Sequence, residues 1–251
     1  MNRTLYVEEL EYFGKPVSEF PKEAERKQAR AFMRQLRARY GTVGLVRLLA
    51  RVMVERRRLK RRAGSTLRRL EAEIGPGIVK ETMVLVPMFE AIAAREGREN
   101  AYPVIRSIVE EVAPCSMRAM YQVDDLKRCD GDVFDNFKRF HFAMFDAKLT
   151  KTLYANTQTD EGDHFATTVE RCANVEIFTE LGYPELGPFG CDHDVAGYAA
   201  IADEVGIEFR RPCTIAKGAP TCDFRFYRAG TAPDTELIDG VPVQWTEKLN
   251  R

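Results

Sequence analysis

No stretch of this sequence is long and apolar enough to cross a bilayer, which takes about 20 residues. The two longest apolar stretches, Val43 to Val54 and Met83 to Ala94, are broken by Arg47 and Arg51 in one and by Pro87 and Glu90 in the other. No apolar run follows Met1, so no secretory leader is expected. Cysteine is sparse, with six in 251 residues, and a chain of this length buries a core without disulfide staples. Reduced thiols, a cytoplasmic location and no membrane partner are the expectation. The signatures of several large enzyme classes are missing as well: there is no glycine-rich phosphate loop, no Gly-x-Ser-x-Gly elbow and no His-Glu-x-x-His. Nucleotide hydrolysis and zincin chemistry are thereby disfavoured.

Net charge is also missing, since 38 Lys and Arg face 38 Asp and Glu, but the two signs are segregated. Residues 1 to 75 hold 19 of the basic and 9 of the acidic side chains, which leaves +10 on that part and −10 on the remainder. Such asymmetry suits a polyanion-binding surface, a partner-facing surface or two parts that attract each other. A basic helix without a DNA-reading motif argues little for nucleic acid, and a homodimer is compatible with the same asymmetry.

Periodicity predicts helices through the first hundred residues. Ala29, Phe32, Met33, Leu36 and Tyr40 form one apolar stripe that Gly41 ends, and Leu45, Leu48, Leu49 and Val52 form the next after a Thr42 cap. That helix runs out through the basic residues 56–62 before Gly64, and a shorter one covers residues 66–74. After Gly75-Pro76-Gly77 a helix to about Arg95 should be kinked by Pro87, and another from about Tyr102 should stop before Pro114. Residues 114–131 read as irregular. A helix from about Asp132 to Leu149 carries Phe134, Phe137, Phe140, His141, Phe142 and Phe145 on more than one face, which marks a core helix or a pocket wall.

Beyond Gly162 the pattern predicts a strand at 165–171, helices at 175–181 and 195–204, and strands at 207–216 and 222–227, the last alternating Phe224 and Phe226 against Asp223 and Arg225. The expected fold is α+β, a helical N-terminal half followed by a small antiparallel sheet packed with helices. The expected divisions are a helical region 1–113, an α+β catalytic core 114–230 and a tail 231–251 containing the single tryptophan, Trp245.

Chemistry concentrates late in the chain, in Gly190-Cys191-Asp192-His193-Asp194, then Arg210 to Gly218, then Cys222-Asp223-Phe224. A thiol, carboxylates and an imidazole within four residues can supply a nucleophile and a base. The same letters ligate zinc, but Cys191 and His193 are only two apart and no Cys-x-x-Cys pair accompanies them, so no metal is expected. Cys191 and Cys222 can equally be small buried side chains beside capping aspartates.

The set Cys172, Glu180-Leu-Gly-Tyr-Pro-Glu-Leu, Cys191-x-x-Asp194, Arg211-x-x-Thr214-x-Ala216-x-Gly218 and Cys222-Asp223-Phe224-x-Phe226 resembles the L-2-amino-thiazoline-4-carboxylic acid hydrolase family. The resemblance implies a cofactor-free cytosolic hydrolase that acts on carbon–nitrogen bonds other than peptide bonds and opens a small heterocycle; in the type reaction a thiazoline becomes a carbamoyl-cysteine. On that reading Cys191 attacks as a thiolate, or Asp194 activates a water, while His193 or Asp223 moves the proton. Arg211 pairs with a substrate carboxylate, for which its bidentate fork is suited. Gly218 turns the loop that returns Cys222 and Asp223 toward Cys191, and Thr214, Phe137 and His141 are further candidate substrate contacts. His141 is as readily a hydrogen-bonded core residue.

The ending Gly-x-x-x-Cys-Asp-Phe-x-Phe is also similar to vinyl-reductase-like ligand-binding domains. That likeness implies a non-catalytic module holding a small molecule in an apolar channel, with the aromatic helix as its wall.

Overall fold

The computed structural model describes residues 22–233 and two short strand pairs outside them; Trp245 and most of the expected tail 231–251 lie outside the described residues. The chain begins with β1 (Glu11–Tyr12), β2 (Lys15–Pro16), α1 (Lys22–Glu73), α2 (Pro76–Glu96), α3 (Arg98–Met120), α4 (Val123–Leu126), α5 (Val133–Asp146) and α6 (Lys148–Leu153). It continues with β3 (Tyr154–Asp160), β4 (His164–Cys172), α7 (Ala173–Glu180), α8 (Phe189–Val205), β5 (Ile207–Arg210), β6 (Cys222–Arg228), β7 (Glu236–Ile238) and β8 (Val241–Val243). This is the α+β architecture that the sequence predicts, helices first and a four-stranded antiparallel sheet after them. Two compact units are present: Gln28–Val112 with Ala173–Asp192, and Ala113–Cys172 with the described residues from His193 onward.

In the first unit α1 breaks at Gly41 (φ 68°) and Ala63 (φ −122°, ψ 16°), close to the boundaries that the apolar stripes predict. Leu36, Leu48, Leu59, Phe89, Ile92 and Ile105 form its core, whereas Met33, expected in the first stripe, is exposed. The basic run is tied down in part, with Arg58 on Glu55 at 3.0 Å and Arg62 on the Tyr183 hydroxyl, its guanidinium 5.1 Å from the ring centre.

The second unit is built on the sheet order β3-β4-β6-β5. Period-two alternation puts Phe165, Thr167 and Val169 of β4 on one face, each opposite Phe226, Phe224 and Cys222 of β6, and Phe209 of β5 joins them opposite Phe226. The Phe165 and Phe226 rings stack at 4.8 Å. Helix α5, capped by Asp132 accepting from the Asp135 N–H, lays Phe137, Phe140, His141 and Phe145 over this face. Tyr198 of α8 packs on Phe209 and Phe226 at 4.6 and 5.0 Å. Gly197, beside it, lets α8 approach α3: a Cβ there would lie 2.9 Å from the Met117 Cβ. The aromatic helix is thus packed core.

Four expectations need correction. Helix α3 starts at Arg98 and runs through Pro114 to Met120, so residues 114–131 hold helix where irregular chain was expected. Proline in a helix costs about 3 kcal/mol or more, but here it orphans the carbonyl of exposed Glu110, while Met117 and Tyr121 beyond it are completely buried. Helix α8 begins at Phe189 rather than 195, which places Gly190 to Asp194 in its first turns. The strand expected over 207–216 ends at Arg210 and gives way to a loop and a short 3-10 turn at Ile215–Lys217. Strand β3, which pairs with β4, was not anticipated.

Candidate functional site

Three polar side chains meet where α8 faces the loop after β5. Arg211 is completely buried, yet its guanidinium reaches the Asp194 carboxylate at 3.3 Å. Its carbon lies 5.4 Å from the Phe224 ring centre and 5.9 Å from that of Phe209, so aromatic faces carry part of the cation's solvation. Asp194 keeps about a quarter of its side chain in solvent (26%), which makes it the accessible member of the pair. His193 Nδ1 stands 3.8 Å from the other Asp194 oxygen, an ion pair only in the protonated form of the imidazole.

Behind this pair lies a line of buried polar groups. His141 Nε2 is 2.9 Å from the Thr167 hydroxyl and Nδ1 is 2.7 Å from the Tyr121 hydroxyl, which in turn is 2.8 Å from that of Tyr198. Burial pushes the imidazole down to about 3, so it is neutral at ordinary pH. Burial first, then the Asp194 charge, pushes the Tyr198 phenol well above its ordinary range; burial first, with Tyr198 and Asp194 adding to it, does the same to Tyr121. The sequence marks His141 but not its partners Tyr121, Tyr198 and Thr167. One signal was available: an imidazole on an otherwise apolar helix face must find hydrogen-bond partners from other elements.

Of the remaining candidates Cys222 feels the charges of both Arg211 and Asp194, whereas the others are placed differently. Cys222 is buried and accepts the Ile215 N–H at 3.2 Å; burial pushes its thiol up to about 11, which keeps it protonated near neutral pH. Thr214 is buried with no hydrogen-bond partner for its hydroxyl. Gly218 does turn the loop (φ 90°), but Asp223 emerges on the sheet face opposite Phe224. There it accepts from Arg225 at 2.8 Å, apart from the Asp194 and Arg211 pair. Phe137 is completely buried, 4.7 Å from the Tyr121 ring centre. Cys191 lies on α8 three residues before Asp194 and falls in the first unit, as does Asp192, which accepts the Tyr102 hydroxyl at 2.6 Å.

Two described cavities lie elsewhere. One of about 530 Å³ is lined by Glu55, Arg58, Arg62, Glu90 and Tyr183, and one of about 300 Å³ by Phe142, Asn156, Gln158 and Asp160. Among the described residues no group of three His, Cys, Asp or Glu side chains is placed to hold a metal ion, and no helix is long and apolar enough to cross a membrane.

A family model described as L-2-amino-thiazoline-4-carboxylic acid hydrolase matches residues 78–226, more than half of the chain. The chain belongs to that family. The matched stretch contains Asp194, Arg211 and every other candidate site residue named above, together with Tyr121, Thr167 and Tyr198, and it excludes the basic run 56–62. No curated protein and no solved structure matches the chain. The family's description is that of a hydrolase, and within the matched stretch the Asp194 and Arg211 pair joins a partly exposed carboxylate to a cation buried among aromatic rings.

Proposed function

We propose that this chain is a hydrolase that opens a small, carboxylate-bearing heterocycle of the thiazoline or cyclic amidine type, with Asp194 as the general base. The observation that supports this reading is the Asp194 and Arg211 pair, one member partly open to solvent and the other sealed among aromatic rings, inside the stretch that matches a hydrolase family.

In such a reaction Asp194 takes a proton from water as the water oxygen bonds to the ring C=N carbon, and the π electron pair moves to nitrogen. Collapse of the adduct forms a C=O bond to the water oxygen, which gives up its second proton, and breaks the bond from that carbon to the ring heteroatom, sulfur in a thiazoline. The two water protons end on the ring nitrogen and the departing heteroatom, relayed by Asp194 and His193. Arg211 offsets the charge of Asp194, so that an anionic substrate is not repelled, and its burial assigns it to holding Asp194 more than to touching substrate. The partnerless Thr214 hydroxyl is the polar group we assign to the substrate carboxylate. Cys222, protonated and buried, is left out of the chemistry. Cys191 attack is the competing route.

The test is a panel of thiazolines, cyclic amidines and lactams, headed by L-2-amino-thiazoline-4-carboxylic acid, incubated with wild type, Asp194→Asn and Cys191→Ala. Ring opening that Asp194→Asn abolishes and Cys191→Ala leaves within a few fold supports the reading. Ring opening lost in Cys191→Ala and kept in Asp194→Asn transfers the role to the thiol, and no opening of any compound by folded wild type defeats the hydrolase assignment.

A further inference from the structure

The part of α1 between its breaks at Gly41 and Ala63 carries two apolar stripes. One holds Leu45, Leu48 and Leu59 and is buried in the core of the first unit. The other faces solvent: Val43 is 65% exposed, Val46 63% and Met53 51%, and Ala50 and Val54 are exposed with them. Val43, Val46, Ala50 and Met53 succeed each other at steps of three, four and three residues, the a and d spacing of a seam that packs on another helix. At about 100° per residue they share one face with Arg57 and Arg61, which continue it through the next turns. The face is therefore divided along its length, apolar over residues 43–54 and cationic over residues 56–62. Residues 42–62 hold eight Lys and Arg against Glu55 alone, and that buried carboxylate is already taken by Arg51 at 2.7 Å and Arg58 at 3.0 Å. The cavity of about 530 Å³ lies at this cationic end, where Arg58, Arg61 and Arg62 line it together with buried Leu59 and Val86.

We propose that this face docks an acidic amphipathic helix of another protein, with apolar side chains on Val43, Val46, Ala50 and Met53 and carboxylates on Arg57, Arg61 and the arginines of the cavity. Charge selects this occupant over a second copy of the chain: the same face of a copy brings arginines to arginines and no carboxylate. The layout selects it over a bilayer surface. A helix that lies in a membrane interface has an apolar face along its whole length with cations beside it, whereas here the two halves follow one another, and the apolar half contains no Leu, Phe or Trp. A partner helix that is apolar in one half and acidic in the other matches that division, and carboxylates form bidentate pairs with guanidinium groups. Residues 42–62 lie outside the stretch 78–226 that matches the hydrolase family, so the docking face is distinct from the residues assigned to ring opening.

The probe is a fluorescent synthetic helical peptide with Leu and Val at the a and d positions of one half and Glu filling the other, made with the acidic half last or first to meet α1 in either direction. Anisotropy titration of the full chain should show one of the two binding at least about tenfold more tightly than a scrambled peptide of the same composition. Val46→Ser combined with Met53→Ser, with an unchanged circular dichroism spectrum, should weaken binding about tenfold. Arg57→Gln combined with Arg61→Gln should weaken it about as much and remove most of its salt dependence. Equal affinity for probe and scramble, or wild-type affinity in the Val46→Ser, Met53→Ser protein, reduces the contact to charge alone and overturns the proposal. Failure of both probes to bind overturns it as well. Phosphatidylserine-rich vesicles bound more tightly than the probe and lost in the Val46→Ser, Met53→Ser protein give the face to a membrane. A short DNA duplex bound more tightly than the probe gives it to nucleic acid, and a dimer in sedimentation velocity that the same serine substitutions dissolve gives it to a second copy. Each of these three results overturns the proposal.

Discussion

Lowering the pH from about 7 to about 5 should destabilise this protein by about 2 kcal/mol through His141 alone. The residue is completely buried, and burial depresses its imidazole from the ordinary 6.5 to about 3. Between those values the unfolded chain binds a proton at this position and the folded chain does not, so stability rises with pH across that window. The contribution is fully present above about pH 6.5 and is lost as the pH falls, at about 1.4 kcal/mol per unit. Other groups titrate in the same range, so the quantity to measure is a difference between wild type and His141→Gln, which keeps a polar side chain but cannot titrate. Urea unfolding followed by circular dichroism at both pH values gives the two stabilities by linear extrapolation. Wild type should lose about 2 kcal/mol more than the variant on acidification. If the two lose the same amount within about 0.5 kcal/mol, His141 is not held neutral in the fold, and the buried chain to Tyr121 and Thr167 is wrong as drawn.

Two further outcomes follow from packing and burial. Gly197→Ala should cost about 1–3 kcal/mol in the same unfolding measurement, because its new methyl meets the Met117 Cβ at 2.9 Å and one helix must shift; a change under about 0.5 kcal/mol would show that α8 and α3 do not approach as closely as this. Cys222, buried with its thiol pushed up to about 11, should stay unalkylated by iodoacetamide near neutral pH in the native protein and become labelled in urea, as read by peptide mass spectrometry; rapid native labelling would reopen the case for it as a nucleophile.

The parts of the fold that were legible in the sequence are those whose pattern is local. Cys222 to Tyr227 alternates with period two and forms β6; the glycine at 41 interrupts an apolar stripe and breaks α1. What was not legible depends on distant partners. Pro114 reads as a stop, and only the burial of Met117 and Tyr121 explains why the helix continues. Strand β3 is polar and mostly exposed, an edge strand with one paired side and no apolar alternation to announce it.

The site divides along the same line. The sequence made Cys191, His193, Asp194, Cys222 and Asp223 look like one cluster because they fall in two short reactive stretches of one motif set. On a helix, however, successive residues point about 100° apart, and on a strand Cys222 and Asp223 point to opposite faces. The Asp194 and Arg211 pairing was half legible, both residues being prominent in the motif but not their contact. Tyr121 and Tyr198 lie 77 residues apart, and nothing local signals that their hydroxyls meet.

The central claim, that Asp194 activates water against a ring C=N carbon, is tested most directly by opening L-2-amino-thiazoline-4-carboxylic acid in heavy-oxygen water with wild type and Asp194→Asn side by side. A product that gains one labelled oxygen and one free thiol with wild type, and neither with the folded Asp194→Asn protein, is the predicted result. Equal rates from the two proteins would contradict it.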